Sequence, residues 1–170
     1  MTFSELAAAR YSVRKFDGRP VEQEKLDKIL HAGHIAPTAK NQQPQKIFVI
    51  RSREALEKLG GCTQCIYGAG TVLLICSDVN ESWKRPCDGK DSGDVDTSIV
   101  LTHMMLEAWE LGIGSVWVMF FDPDKLREAF DLPENLIPVS LLPIGYAAAD
   151  AAPSPRHTEC KPEAELVSYL

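Results

Sequence analysis

Arg10-Tyr11-Ser12-Val13-Arg14-Lys15-Phe16, joined twenty residues on by Ala36-Pro37-Thr38-Ala39-Lys40-Asn41-Gln42-Gln43-Pro44, is the pair of stretches from which the rest of the chain is read. The first run sets two guanidiniums and a hydroxyl within five residues of a chain whose net charge is −6. Arginine suits an anion because its planar fork donates several hydrogen bonds to phosphate oxygens and keeps its charge at any working pH. The competing reading makes Arg10 and Arg14 a solvated i,i+4 pair at the end of a first helix.

The totals bound the rest. A length of 170 residues suits one domain, 1–170, with a real core. Apolar residues at 45% and charged residues at 25% are ordinary for a globular chain. A pI near 5.2 and the absence of a long basic stripe argue against a nucleic-acid partner. Met1-Thr2-Phe3-Ser4-Glu5 lacks the basic start and apolar run of a leader, and no apolar run is long enough for a bilayer. The expectation is a cytoplasmic protein without a membrane partner. The five cysteines Cys62, Cys65, Cys76, Cys87 and Cys160 are an odd number and fit reduced thiols.

Helix is expected over 3–10 and over 22–36, where Leu26, Ile29, Leu30, Gly33 and Ala36 recur at helical spacing until Pro37. Lys46 to Ile50 and Thr71 to Cys76 read as buried strands, and Ser52 caps a helix from Arg53 to Leu59. The polar stretch 80–96 reads as one long loop, a candidate lid or pocket rim. A helix apolar on most sides is expected over 97–111, suited to the interior or a subunit interface. Ser115 to Phe121 is expected to be a third strand, and Asp122-Pro123 opens a helix to about Phe130. Ile137 to Tyr146 reads as a fourth strand, its prolines Pro138 and Pro143 pointing to an edge or a bulge. After Tyr146 the Ala- and Pro-rich tail has the composition of an extended arm.

The two opening motifs, the intervening amphipathic helix, Leu111-Gly112-Ile113-Gly114-Ser115-Val116-Trp117, Ile144-Gly145-Tyr146 and the Pro-Ser-Pro-Arg tail ending at Arg156 together resemble the nitroreductase family of FMN-dependent oxidoreductases. The resemblance covers nearly the whole chain. It implies an α+β, three-layer fold, a mainly antiparallel central sheet flanked by helices, in an intertwined homodimer with flavin sites at the interface. It implies that residues 147–170 wrap the partner subunit as an arm. By the same resemblance Arg10, Ser12, Arg14 and Arg156 hold the phosphate and ribityl end of FMN, and Tyr11 contributes backbone contacts to the ring region. Pro37, Thr38, Ala39 and Asn41 meet the isoalloxazine from the other subunit, and Trp117, Val118 and Met119 flank the ring. Gln45 stands where the family usually carries Trp after Gln-Pro, and Lys40 is an unusual charge in its loop.

The activity implied is ping-pong reduction of nitroaromatics, quinones or similar acceptors, with NADH or NADPH as transient hydride donor. No residue chooses between the two nicotinamides. The flavin carries the chemistry, so no protein group is assigned as catalytic and no metal is called for. Two alternatives share the scaffold: reductive dehalogenation or flavin fragmentation, favoured by a specific lid, and a non-enzymatic flavin-binding or storage dimer.

Other motifs weigh less. Cys62-Thr63-Gln64-Cys65 is a lone CxxC with no second pair of ligands and with Gly60-Gly61 before it, which reads as two ordinary thiols more readily than as a zinc or redox site. His103, Glu107 and Glu110 read either as an acid/base set or as the polar stripe of a buried helix. Gly112-Ile113-Gly114 lacks the third glycine and the context of a dinucleotide fingerprint and fits a helix stop.

Overall fold

Strand β2 (Thr71–Asp78) is the centre of the molecule, with every side chain from Thr71 to Ser77 buried. A computed structural model describes all residues, 1–170. On one side β2 pairs with β1 (Gln45–Ile50), on the other with β4 (Leu136–Gly145), which in turn pairs with the two-residue β3 (Gly114–Ser115). All three pairings are antiparallel, in the order β1-β2-β4-β3.

Period-two alternation along β2 divides two cores. Val72, Leu74 and Cys76 face a cluster closed by Leu59 of α3 (Arg53–Gly60) and Leu126 of α5 (Pro123–Ala129). Leu73 and Ile75 face the opposite cluster, closed by Leu26 and Ile29 of α2 (Gln23–His34) and by Val100, Leu101 and Met104 of α4 (Gly93–Glu110). The result is a three-layer α+β fold. Helices α2 and α4 approach closely because position 33 carries no side chain: a Cβ there would sit 2.8 Å from Met104 Cγ. The caps follow sequence: Thr2 and Glu5 form a capping box at α1 (Phe3–Ala9), Ser52 Oγ accepts from Ala55 N, and Asp122 accepts from Asp124 N and Lys125 N.

Two sequence expectations change. Helix α4 begins at Gly93, so the loop expected over 80–96 ends at Ser92, and it is an ordered hairpin-like turn with Lys84 bridged to Asp91. Asp94 and Asp96 belong to the helix's first turn, where the dipole favours acid. The strand expected over Ser115 to Phe121 is reduced to β3 and one bridge, Val118 to Leu141. Val116 N–H donates to Pro143 O at 3.2 Å, but a proline returns no N–H, so the ladder stops there. Strand β4 lies between β2 and β3, and Pro138 is absorbed by a register shift between Ile75 and Cys76 of β2, the bulge its prolines pointed to. The tail beyond Tyr146 is extended up to a 3₁₀ turn (Pro155–Thr158) and a short α6 (Glu163–Leu166), none of whose residues is buried.

Candidate functional site

Helix α1 ends at Ala9, and Arg10 is already extended at φ −63°, ψ 130°. Beyond it the chain runs beside β3, where Ser12 bridges Ser115 and Val13 N–H donates to Ser115 O at 2.9 Å. Alternation in an extended segment sends Val13 into the core and Arg10, Ser12 and Arg14 to the other face. A helical i,i+4 surface pair is therefore not what these arginines form.

The tail comes back to the same face. Asp17 N–H donates to Tyr146 O, Ala148 N–H donates to Lys15 O, and Lys15 pairs with Asp150. Ser154 Oγ then accepts from Arg156 N at 3.3 Å and opens the 3₁₀ turn. His157 meets Tyr11 edge-on at 6.2 Å, and Tyr11 meets Trp109 in the same manner at 5.2 Å.

These elements enclose a cavity of about 460 Å³ lined by Arg10, Tyr11, Ser12, Arg14, Ser154, Arg156 and His157. No carboxylate lines it, and none of its three arginines joins an ion pair. Three uncompensated guanidiniums with the hydroxyls of Ser12, Ser154 and Tyr11 make a donor set that fits a phosphate group. Sequence reasoning did not single out Ser154 or His157. The Ser154-Pro155 pair was the available signal, as a cap followed by a proline at the first helical position.

The second motif forms a tight turn (Ala39–Asn41) with three non-glycine residues in the left-handed region: Lys40 at φ 52°, Asn41 at 56° and Gln43 at 50°. Each costs about 1 kcal/mol or more and persists because neighbours fix it. Thr38 Oγ1 accepts from Gln43 N at 3.0 Å, and Asn41 Oδ1 accepts from Gln43 Nε2 at 3.0 Å. Ala39 N–H donates to Asp96 Oδ1 at 2.8 Å, which ties the turn to the start of α4. Pro37 is exposed on the approach. Ala39 lines a second cavity, of about 370 Å³, with residues of the turn between β2 and α4.

The third group lies after β3. Trp117 Nε1 donates to Ser140 Oγ at 2.8 Å, Val118 and Leu141 exchange backbone hydrogen bonds of 2.9 Å, and Met119 projects with 68% of its surface exposed. The CxxC segment anchors the chain just beyond Met119: Thr63 Oγ1 donates to Phe120 O at 2.6 Å and Asp122 N–H donates to Cys62 O at 3.0 Å. Within one chain, then, Arg10, Tyr11, Ser12, Arg14 and Arg156 share a cavity, Ala39 lines another, and Trp117 to Met119 line neither.

The remaining candidates disperse. All five cysteines are free thiols, and no group of three His, Cys, Asp or Glu side chains is placed to hold a metal. Burial pushes the Cys62 thiol up, and the hydrogen bond with Cys65 raises Tyr67. His103 lines a shallow cavity beside Val95 and Ile99, while Glu107 lines a different one beside His31, so the two do not converge.

An antiparallel sheet between two helical layers, with a cationic cavity built from the N-terminal motif and the returning tail, defines a class of small α+β protein. The chain belongs to the Nitroreductase family, which matches residues 7–63 and 59–146. A nitroreductase family protein of Clostridium difficile, solved by crystallography, superposes with a TM-score of 0.94 at 48% identity, covering 99% of this chain and 98% of that one. An Archaeoglobus fulgidus relative carrying the name NADH dehydrogenase/NAD(P)H nitroreductase is 34% identical over 81% of this chain and 80% of its own length. A Bacillus subtilis relative named FMN reductase [NAD(P)H] is 32% identical over 85% of this chain and 66% of its own.

Proposed function

We propose that this protein is an FMN-dependent NAD(P)H oxidoreductase acting on nitroaromatic, quinone or related acceptors in ping-pong order. The observation that carries the reading is the cavity at which Arg10, Ser12, Arg14 and Arg156 meet with no carboxylate among them. The names of the relatives, an NAD(P)H nitroreductase and an FMN reductase, support the same chemistry. FMN, when bound, supplies hydride acceptance and donation.

The chain's own residues then have these roles. Arg10, Arg14 and Arg156 bind the phosphate by charge-assisted hydrogen bonds, with Ser12 completing the grip and Tyr11 giving backbone contacts to the ring region. Pro37, Thr38, Ala39 and Asn41 orient the ring, and the left-handed backbone at Lys40, Asn41 and Gln43 is held in advance by Thr38 and Asp96. Trp117, Val118 and Met119 border the ring from another direction and exclude water from it. Because these three groups do not share a cavity within one chain, the reading includes a homodimer whose two sites draw on both subunits, with 147–170 as an arm across the partner. It assigns the protein to the cytoplasm.

The test is an absorbance spectrum of the protein purified without added cofactor, followed by anaerobic NADH and then NADPH. A flavin spectrum that bleaches with either nicotinamide is expected. A colourless protein that takes up no added FMN overturns the proposal.

A further inference from the structure

The segment between α3 and β2 holds a strained residue that the flavin reading leaves without a task. Tyr67 lies in the left-handed region at φ 53°, a conformation that disfavours any side chain with a Cβ. Strain of this kind persists where neighbours over-determine it, and it collects at sites of binding and catalysis. The neighbours here belong to the first motif. Phe16 N–H donates to Tyr67 O at 3.1 Å, which sets Tyr67 two residues along the chain from Arg14, and Ala69 N–H closes the turn on Ile66 O at 2.9 Å. The tyrosine ring packs half-buried against the core cluster that contains Val13 and Phe16.

The partners of the phenol decide the direction of its hydrogen bonds. The Tyr67 hydroxyl meets the Cys65 thiol on one side and the Arg14 guanidinium on the other. A guanidinium only donates, so the phenol oxygen accepts from Arg14 and turns its own proton to the Cys65 sulfur, a weak acceptor. Cys65 is fixed in its turn: its N–H donates to Thr63 Oγ1 at 3.0 Å, and Thr63 is tied to Phe120 O. The Cys65 hydrogen bond and burial both push the Tyr67 phenol up, so it keeps the proton it offers to sulfur. Arg14 is the group that gains from this support. It lines the cationic cavity, it is exposed, and no carboxylate pairs with it. An arginine side chain loses rotamer freedom when it grips a ligand, and one oriented in advance loses less.

We propose that Tyr67 is a positioning residue of the cationic cavity: its phenol, steadied by Cys65, turns the Arg14 guanidinium toward the phosphate of a bound ligand. The inference rests on the flavin reading for the identity of that ligand, FMN, whereas the orientation of Arg14 does not depend on it. The CxxC segment thereby acquires a task without thiol chemistry, since Cys65 acts through Tyr67.

The test has a binding arm and a ligand-free arm. FMN, and riboflavin as the same molecule without its phosphate, are titrated into the apo protein by fluorescence quenching. Tyr67→Phe keeps the ring and its packing and removes the hydroxyl. It is expected to weaken FMN about fivefold, below the worth of a whole charge-assisted hydrogen bond, and to leave riboflavin unchanged. In an Arg14→Ala background the same substitution is expected to have no effect on FMN. Cys65→Ser keeps an acceptor for the phenol and should hold wild-type affinity, whereas Cys65→Val should follow Tyr67→Phe in part. A purely structural role for Tyr67 would move FMN and riboflavin together, or add to the effect of Arg14→Ala, and either result overturns the inference. In the ligand-free arm, the Arg14 Nε–H resonance of isotope-labelled protein is expected to exchange with water more slowly in the wild type than in Tyr67→Phe. Equal exchange in the two proteins overturns the inference whether or not flavin binds. A wild type that binds no FMN yet shows the difference refutes the cofactor and keeps the positioning role.

Discussion

Asp96 Oδ1 accepts the backbone N–H of Ala39 at 2.8 Å across 57 residues of sequence, while its other oxygen accepts the Ser92 hydroxyl at 2.7 Å. The carboxylate is 2% exposed, so both donors depend on it. It joins the left-handed turn at Lys40 and Asn41 to the first turn of α4. Asp96→Ala is expected to cost about 2–3 kcal/mol, since a half-buried N–H and hydroxyl lose their acceptor. Asp96→Asn keeps one acceptor and is expected to cost less than half of that. Urea denaturation measures both, and a loss below about 0.5 kcal/mol for the alanine variant would show that the tie is not needed.

Local rules made most of this architecture legible. Ser52 and Asp122-Pro123 announced their helices, and the β-branched run at Thr71–Cys76 announced the central strand. What local rules could not convey was which strand would lie beside which. Ser115 to Phe121 is strand-like in composition, yet its partner offers Pro143 where a donor was required. Likewise Gly93 to Asp96 looks like loop, and becomes helix because Asp96 is satisfied by Ala39 from far along the chain. The cationic cavity was legible at Arg10, Ser12 and Arg14 because they are near neighbours, and at Arg156 only through family resemblance. Ser154 and His157 reach it through the return of the tail, a long-range event with no local trace beyond one cap.

Gly93 has no room for a side chain. A Cβ there would overlap Ser77 Oγ and stand 3.0 Å from both Ser77 Cβ and Asp91 Oδ1. Gly93→Ala is expected to destabilise by about 1–3 kcal/mol through overpacking. Adding Ser77→Ala should return part of that loss, because the closest atom is then gone. A double-mutant cycle in urea gives the coupling, and simple additivity of the two changes would refute the steric explanation.

Thiol chemistry should follow burial. Cys87 and Cys160 are exposed, Cys65 is half-buried, and Cys62 and Cys76 are enclosed. Burial pushes the Cys76 thiol up to about 12. A folded value above the unfolded one means that the stabilising contribution is complete below about pH 9. It is lost as pH rises towards 12, at about 1.4 kcal/mol per unit. At pH 8 a disulfide reagent should therefore modify Cys87 and Cys160 quickly and Cys76 only after unfolding. Fast modification of Cys76 in the native protein, mapped by mass spectrometry, would contradict the packing around β2.

The cationic cavity gives a quantitative expectation for flavin affinity. Arg10→Ala with Arg14→Ala removes two charge-assisted contacts worth about 1.5–3 kcal/mol each, and the exposure of Arg14 sets the total near the lower end, about 3 kcal/mol or 150-fold in Kd. Fluorescence-quenching titration of FMN into the apo variant measures it. Replacing both residues with Lys keeps the charge but loses the fork, and should recover only part of the affinity. Wild-type affinity in the alanine double variant would return Arg10 and Arg14 to surface charge.

Removing the tail separates folding from binding at the same cavity. A chain ending at Ala152 loses Ser154, Arg156 and His157 from the lining, together with the 3₁₀ turn and α6, in which no residue is buried. The sheet and both cores remain, so thermal unfolding of the apo protein should shift little. Flavin retention through gel filtration should fall sharply, because a third of the guanidinium charge and one side of the enclosure are gone. If 147–170 also wraps a partner, sedimentation should show the dimer weakened in parallel with flavin loss. Arg156→Ala in the full chain distinguishes the two effects, since it removes the charge and leaves the arm. Lower FMN affinity with an intact dimer would assign Arg156 to the phosphate, whereas unchanged affinity in both proteins would remove the tail from the site.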